Sequence, residues 1–166
     1  PVWTFIVAPP GGGKTEFISA LNDVKGIHSV SSLTPKTFVS GQLGTKGDDP
    51  SLLSQIKEGI LTFKDFTSLL SMHPDARNEI MGQLREIYDG EYDKKFGTGK
   101  HVKWKGKIGM IAGVTTVIHV MQSSYAAMGD RFIIYALIQP DRKDIRRRAL
   151  VNTADIKEKR AAIRAA

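Results

Sequence analysis

The chain contains no cysteine, which excludes disulfide staples, a thiolate nucleophile and cysteine-ligated zinc. No apolar run approaches the roughly 20 residues a membrane helix needs, so no membrane partner is expected. Histidine is scarce, and His28, His73, His101 and His119 show no metal-ligand spacing. A charged leader is also missing, since Pro1-Val2-Trp3 enters directly into an apolar, strand-like stretch, and a cytoplasmic setting is expected. What is present is ordinary for a folded domain: 41% hydrophobic and 25% charged residues argue against wholesale disorder.

With 166 residues, the chain is expected to form one domain. Residues 1–140 read as an α/β core, and residues 141–166 as a charged C-terminal helix leading into a lid or linker. The net charge is +7, and it is regional. From Lys94 to Lys107 six lysines stand without an acid, giving +6, and from Asp141 to Ala166 nine Lys/Arg face four acids, giving +5. The rest of the chain is therefore net acidic, by −4. A basic region of this kind points to a polyanionic partner, or else to a solvated charged face.

Val2 to Ala8 (VWTFIVA) reads as a strand buried on both faces of a parallel sheet. Thr15 to Leu21 reads as a helix stopped by Lys25-Gly26, and Ile27 to Ser32 as a short strand. Ser31 to Pro50 is rich in Ser, Thr, Pro and Gly and is expected to be mostly loop. Ser51 to Lys57 reads as a short helix, and Gly59 to Phe66 (GILTFKDF) as a strand ending in an aspartate. Asp75 to Tyr88 carries Ala76, Ile80, Leu84 and Ile87 at helical intervals, with Pro74 at a first-turn position and Asp89-Gly90 as its stop. Tyr92 to Lys107 suggests a loop or hairpin with alternating Val102 and Trp104. Ile108 to Ile118 and Phe132 to Ile138 read as buried strands. Ile145, Ala149, Asn152, Ile156 and Ile163 lie along one stripe of the charged C-terminal helix. Strands alternating with helices argue for an α/β fold with a mostly parallel central sheet.

Between the first strand and the first helix stands APPGGGKT, Ala8 to Thr15. Backbone binding of phosphate needs a tight loop whose N–H groups converge on an anion, and glycine permits it because positive φ costs it nothing. Gly11, Gly12 and Gly13 supply that freedom, and the helix start adds its partial positive charge. Lys14 is expected to reach the β- and γ-phosphates, and the Thr15 hydroxyl to ligate Mg²⁺. The expected nucleotide-binding residues run Pro10, Gly11, Gly12, Gly13, Lys14, Thr15 and Glu16, with ATP and Mg²⁺ as cofactors. The usual pattern opens with glycine; here Ala8 stands first, and Pro9 and Pro10 stiffen the loop.

With this motif, most of the chain resembles the AAA+ branch of P-loop ATPases, especially helicase-like ATPases of phages and mobile elements. The resemblance implies a three-layer P-loop NTPase fold and a DNA-dependent ATPase, a motor or loader. It implies that Asp65 of GILTFKDF holds Mg²⁺ with Thr15, although Lys64 and Phe66 flank it and no glutamate follows to orient water. Glu79, Glu86 or Asp89 from the next helix would then have to serve. Thr116, with Thr115, would sense the γ-phosphate, and Arg131 of Gly129-Asp130-Arg131-Phe132 would be an arginine finger acting in trans within a homo-oligomeric ring. The implied catalytic set is therefore Lys14, Asp65, Thr116 and Arg131. In the lysine-rich insert, Lys94, Lys95, Lys100, Lys103, Lys105 and Lys107 would neutralise phosphates of nucleic acid, with Trp104, Tyr92 and Phe96 as stacking faces. Arg146-Arg147-Arg148 would add to that footprint. Two other functions stay open: a small-molecule or nucleotide kinase, and a non-hydrolysing nucleotide switch.

Overall fold

The computed structural model describes residues 1–40, 51–138 and, beyond them, 143, 144, 147, 150, 158, 159, 161 and 162. In chain order the elements are β1 (Trp3–Val7), α1 (Lys14–Ser19), β2 (Ile27–Val30), α2 (Leu52–Gln55), β3 (Glu58–Phe63), α3 (Thr67–Leu70) and α4 (Pro74–Asp89). There follow β4 (Glu91–Lys95), β5 (His101–Lys105), β6 (Lys107–Val114), a 3-10 segment at Thr116–His119, α5 (Gln122–Tyr125), a kinked 3-10 segment at Ala126–Arg131 and β7 (Phe132–Ala136). The stripe from Ile145 to Ile163, Arg146 and Arg148 lie outside the described residues. No helix among the described residues is long and apolar enough to cross a membrane.

Five strands form a wholly parallel sheet in the order β2-β3-β6-β1-β7. Register puts Leu61 beside Met110, and Trp3 beside both Met110 and Phe132. Because side chains alternate across a strand, Trp3, Phe5, Val7, Leu61, Phe63, Met110 and Ala112 share one face, all buried. On that face α4 lays down Ile80, Met81, Leu84 and Ile87, also buried. Trp3 meets Tyr88 edge-on at 5.1 Å, and Phe5 stacks on Phe132 at 3.8 Å. Among the described residues, the opposite face is covered by α1 with its buried Ile18.

β4 and β5 form a separate antiparallel hairpin, folded back along α4, where Lys94 meets Glu79 at 3.5 Å. Its inner face, Tyr92, Val102 and Trp104, is buried in the main core. The Trp104 indole N–H donates to the Ile56 carbonyl at 2.7 Å.

Three strands differ from the sequence expectation: the run Gly59 to Phe66 ends as a strand at Phe63, short of Asp65. The run Ile108 to Ile118 stops as a strand at Val114, where Thr115 begins a turn closed by Ile118 N–H on the Thr115 carbonyl at 3.1 Å. Phe132 to Ile138 is expected as a core strand, yet among the described residues β7 is the sheet edge, with its Ile133 60% and Tyr135 56% exposed. An apolar run marks a strand well, but it does not say whether a neighbour lies beyond it.

Burial of Tyr92, with Glu86 and Glu79 adding negative charge nearby, pushes its phenol up to about 12. An unfolded tyrosine ionises near about 10, so between those values the folded state holds a proton that the unfolded state has lost. Stability from this group is complete below the unfolded value and disappears as pH rises through the folded one. Urea unfolding at a series of pH values should show that decline in the wild type; Tyr92→Phe should lack this part of the slope. Equal slopes in both would show that Tyr92 is not held protonated by its surroundings.

Candidate functional site

The loop after β1 is built by backbone geometry. Gly11 (φ 73°) and Gly13 (φ 82°) both occupy the left-handed region, where a side chain would be strained. A Cβ at either position would meet nothing within 4 Å, so the demand for glycine is conformational and the space before the loop is open. Gly12 N–H closes a turn on the Pro9 carbonyl at 3.0 Å. Lys14 lies across this turn, only 9% exposed, and its ammonium donates to the Ala8 carbonyl at 2.7 Å and the Pro9 carbonyl at 3.0 Å. An ammonium carries three donors, so one remains for an anion. Pro10, Gly11, Gly13, Thr15 and Glu16 are exposed around it. The opening N–H groups of α1 at Lys14 and Thr15 have no acceptor within the helix.

Sheet order decides what stands beside the loop. β6 lies between β1 and β3, and all three run the same way, so their C-terminal ends share one edge. Two strand spacings separate the ends of β1 and β3, about 10 Å, a span that a phosphate chain and a hydrated cation can fill. Asp65 comes two residues after β3, on this edge, and is exposed. Its Oδ1 accepts the Thr67 N–H at 3.0 Å, which orients the carboxylate. Thr116 is exposed just beyond β6, and Thr115 donates its N–H to the Thr67 hydroxyl at 3.0 Å. The edge therefore gathers Lys14, Thr15, Asp65 and Thr116 from three separate stretches of sequence.

Gly113 has no counterpart in the sequence reading. A Cβ there would lie 2.6 Å from the Lys64 carbonyl oxygen and 3.1 Å from Ile18 Cδ1. This glycine lets the Asp65 segment and α1 close on β6 together, with Phe66 N–H bonded to the Gly113 carbonyl at 2.8 Å and Ala8 N–H to the Val114 carbonyl at 3.2 Å. The alternation of β6 alone does not distinguish it from Gly109.

Arg131 lies elsewhere. It precedes Phe132, which pairs with Trp3, so it stands at the opposite end of the sheet from the loop. Its guanidinium bonds Asp89 at 3.2 Å and the Met128 carbonyl at 2.9 Å, and lies 5.2 Å from the centre of the Tyr88 ring. Of the acids considered as a catalytic base, Glu79 pairs with Lys94, Asp89 with Arg131, and Glu86 is raised by burial against the opposing pull of Lys94.

The lysines of the hairpin are largely paired. Across its solvent face Glu91 opposes Lys105, bonded at 2.8 Å, and Asp93 opposes Lys103 at 3.5 Å while also bonding His101 at 2.6 Å. Those contacts hold the Glu91 and Asp93 carboxyls below their ordinary range, through the Lys105 and His101 hydrogen bonds respectively. Lys100 donates to the Ser40 carbonyl at 2.8 Å, and Lys94 lies over the Phe96 ring at 5.3 Å. Lys95 and Lys107 are exposed. As a correction to the expected stacking faces, Trp104 and Tyr92 present their rings to the core, at 7% and 3% exposure, because the inner positions of the hairpin are needed to cover α2 and α4.

No family model and no curated protein matches the chain. Among solved structures it is similar to NtrX from Brucella abortus, with a TM-score of 0.56 and 17% identity, covering 82% of this chain. The chain spans 33% of that NtrX chain. At this identity the likeness shows a shared fold alone. The resemblance to P-loop ATPases of AAA+ type, and to helicase-like ATPases of phages and mobile elements, is corrected accordingly: neither sequence comparison places the chain there, and the likeness to NtrX does not supply it. What stands is an α/β fold around a parallel five-stranded sheet.

Gly113→Ala tests the packing of this edge. Overpacking against backbone costs about 1–3 kcal/mol, so the variant should unfold at lower urea, whereas Gly97→Ala in the exposed hairpin turn, where a Cβ meets nothing within 4 Å, should stay close to wild type. Equal stability of Gly113→Ala and wild type would mean that Lys64 can retreat without cost.

Proposed function

We propose that this domain binds a nucleoside triphosphate with Mg²⁺, ATP in the first instance, at the loop Ala8–Thr15 and hydrolyses it by water attack on the γ-phosphate. The observation that carries the reading is the Lys14 ammonium, held against the loop carbonyls of Ala8 and Pro9 beside two glycines of positive φ. A glycine loop at a helix start and a fixed cation suit a polyphosphate better than a single carboxylate, because charge is spread along several oxygens. The donor set also fits a hard cation: the exposed Thr15 hydroxyl and Asp65 carboxylate offer oxygen ligands, which Mg²⁺ prefers together with water and phosphate oxygens. When bound, the cation would neutralise charge on the β- and γ-phosphates. The chain's own residues then divide the work: loop N–H groups and Lys14 bind, Thr15 and Asp65 hold the cation, and Thr116 orients what lies beyond the γ-phosphate.

A non-hydrolysing switch is the second reading. It is favoured by Asp65 being the carboxylate placed at this edge while Glu79 and Asp89 are committed to Lys94 and Arg131. Dependence on DNA draws less support, since the hairpin's acids Asp93 and Glu91 already pair two of its lysines, Lys103 and Lys105.

Titrating Mg·ATP into wild type and Lys14→Ala, alongside ADP release, tests the reading. Losing a charge-assisted contact should weaken binding by about a hundredfold, and Asp65→Asn should lose Mg²⁺ dependence with its turnover. Binding that survives Lys14→Ala unchanged would remove the loop from the reading; tight binding by wild type with no ADP formed would favour the switch.

A further inference from the structure

We propose that Thr67 is a positioning residue for the phosphate-binding edge, locking the Asp65 carboxylate and the Thr115–Thr116 turn into one unit. This inference rests on the nucleotide reading of that edge. β3 and β6 pair up to Phe63 and Ala112, and then the strands part, because the chain after β3 turns into α3. Phe66 N–H still reaches the Gly113 carbonyl at 2.8 Å. One step further, a backbone acceptor is no longer in place, and the Thr67 hydroxyl takes over, accepting the Thr115 N–H at 3.0 Å. That hydroxyl lies 3.4 Å from the Thr115 hydroxyl, to which it donates. The Thr67 N–H meanwhile donates to Asp65 Oδ1 at 3.0 Å.

One residue thus grips both sides of the edge, the carboxylate through its backbone and the turn carrying Thr116 through its side chain. The two grips separate experimentally. Thr67→Val keeps the backbone donor to Asp65 and nearly the same shape, but strips the acceptor from the Thr115 N–H. Thr67→Ser keeps both. A hydroxyl spent only on local stability would affect nucleotide binding and turnover alike or neither; one that sets Thr116 relative to the γ-phosphate acts on the turnover step.

The experiment compares wild type, Thr67→Val and Thr67→Ser by Mg·ATP turnover and by hydrogen exchange at the Thr115 amide in the nucleotide-free protein, with thermal melts to confirm folding. A small misplacement of a reacting group costs about tenfold to a hundredfold in rate. The expected result is a fall of that size in kcat for Thr67→Val with KM within about twofold, faster exchange at Thr115, and recovery of both by Thr67→Ser. Unchanged kcat in a folded Thr67→Val, equal loss in Thr67→Ser, or a change confined to KM would each overturn the positioning role while leaving the nucleotide reading intact. A wild-type protein without turnover would overturn the proposed hydrolysis and the positioning role with it, and the exchange measurement would then report only whether the Thr67–Thr115 link exists.

Discussion

The backbone of Lys64 lies so close to β6 that a methyl group on Gly113 would come within 2.6 Å of its carbonyl oxygen, and the candidate site depends on that approach. β6 is the strand between the loop and the aspartate. If it carried a side chain where Gly113 stands, the Lys64–Phe66 segment would be pushed off its end, and α1 would lose its seat through Ile18. Three hydrogen bonds follow from the approach: Ala8 N–H to Val114, Phe66 N–H to Gly113, and Thr115 N–H to the Thr67 hydroxyl. Each ties a different piece of the edge to the same strand. Proximity of Lys14, Asp65 and Thr116 is therefore a property of the sheet, whose parallel order makes three C-terminal strand ends neighbours, and the loops only finish it.

The lysine hairpin illustrates how charge counted along the sequence differs from charge seen in space. From Lys94 to Lys107 the sequence is uniformly basic, but an antiparallel hairpin pairs each residue with one from the other strand. The register brings Glu91 and Asp93, which precede the run, opposite Lys105 and Lys103. Opposite charges facing across a strand pair contribute modestly to hairpin stability, and here two acids offset two of the six lysines of the stretch. The inner positions carry the larger share: Tyr92, Val102 and Trp104 extend the main core across α4. Lys95, Lys103, Lys105 and Lys107 remain exposed on the hairpin's solvent side.

Much of the fold was legible because its signals are local. The apolar stretch before the glycines, the 3.6-residue spacing from Ala76 to Ile87 and the Gly90 stop each report on a few consecutive residues, and β1, α4 and the hairpin appear where those patterns place them. The loop was legible for the same reason, since positive φ at Gly11 and Gly13 is a demand of the chain on itself. What escaped was relational. Whether Phe132–Ala136 is central or at an edge depends on which strand neighbours it, and the linear pattern holds no such information. Gly113 and Thr67 matter through residues 49 and 48 positions away in the chain, Lys64 and Thr115, so neither stood out from an ordinary strand glycine or helix-start threonine. The family resemblance failed for a further reason: a short phosphate-loop motif constrains a turn, and the rest of the chain carries too little else to place it among relatives.

The location of Arg131 limits what one chain can do by itself. Its neighbour Phe132 pairs with Trp3, whereas the loop begins past Val7, four residues further along the strand. At about 3.3 Å per residue the two ends stand more than 13 Å apart along β1 before the loop's own length is added, roughly twice the reach of an extended arginine side chain by the same backbone scale. Moreover, the guanidinium is already held by Asp89, Met128 and the Tyr88 ring. On the proposed reading, a single copy would therefore stabilise charge at the γ-phosphate with Lys14, the loop N–H groups and a cation between Thr15 and Asp65. On the proposed nucleotide reading, the placement of Thr116 would separate slow hydrolysis from simple retention of the nucleotide, and the Thr67 hydroxyl on the Thr115 N–H would set that placement.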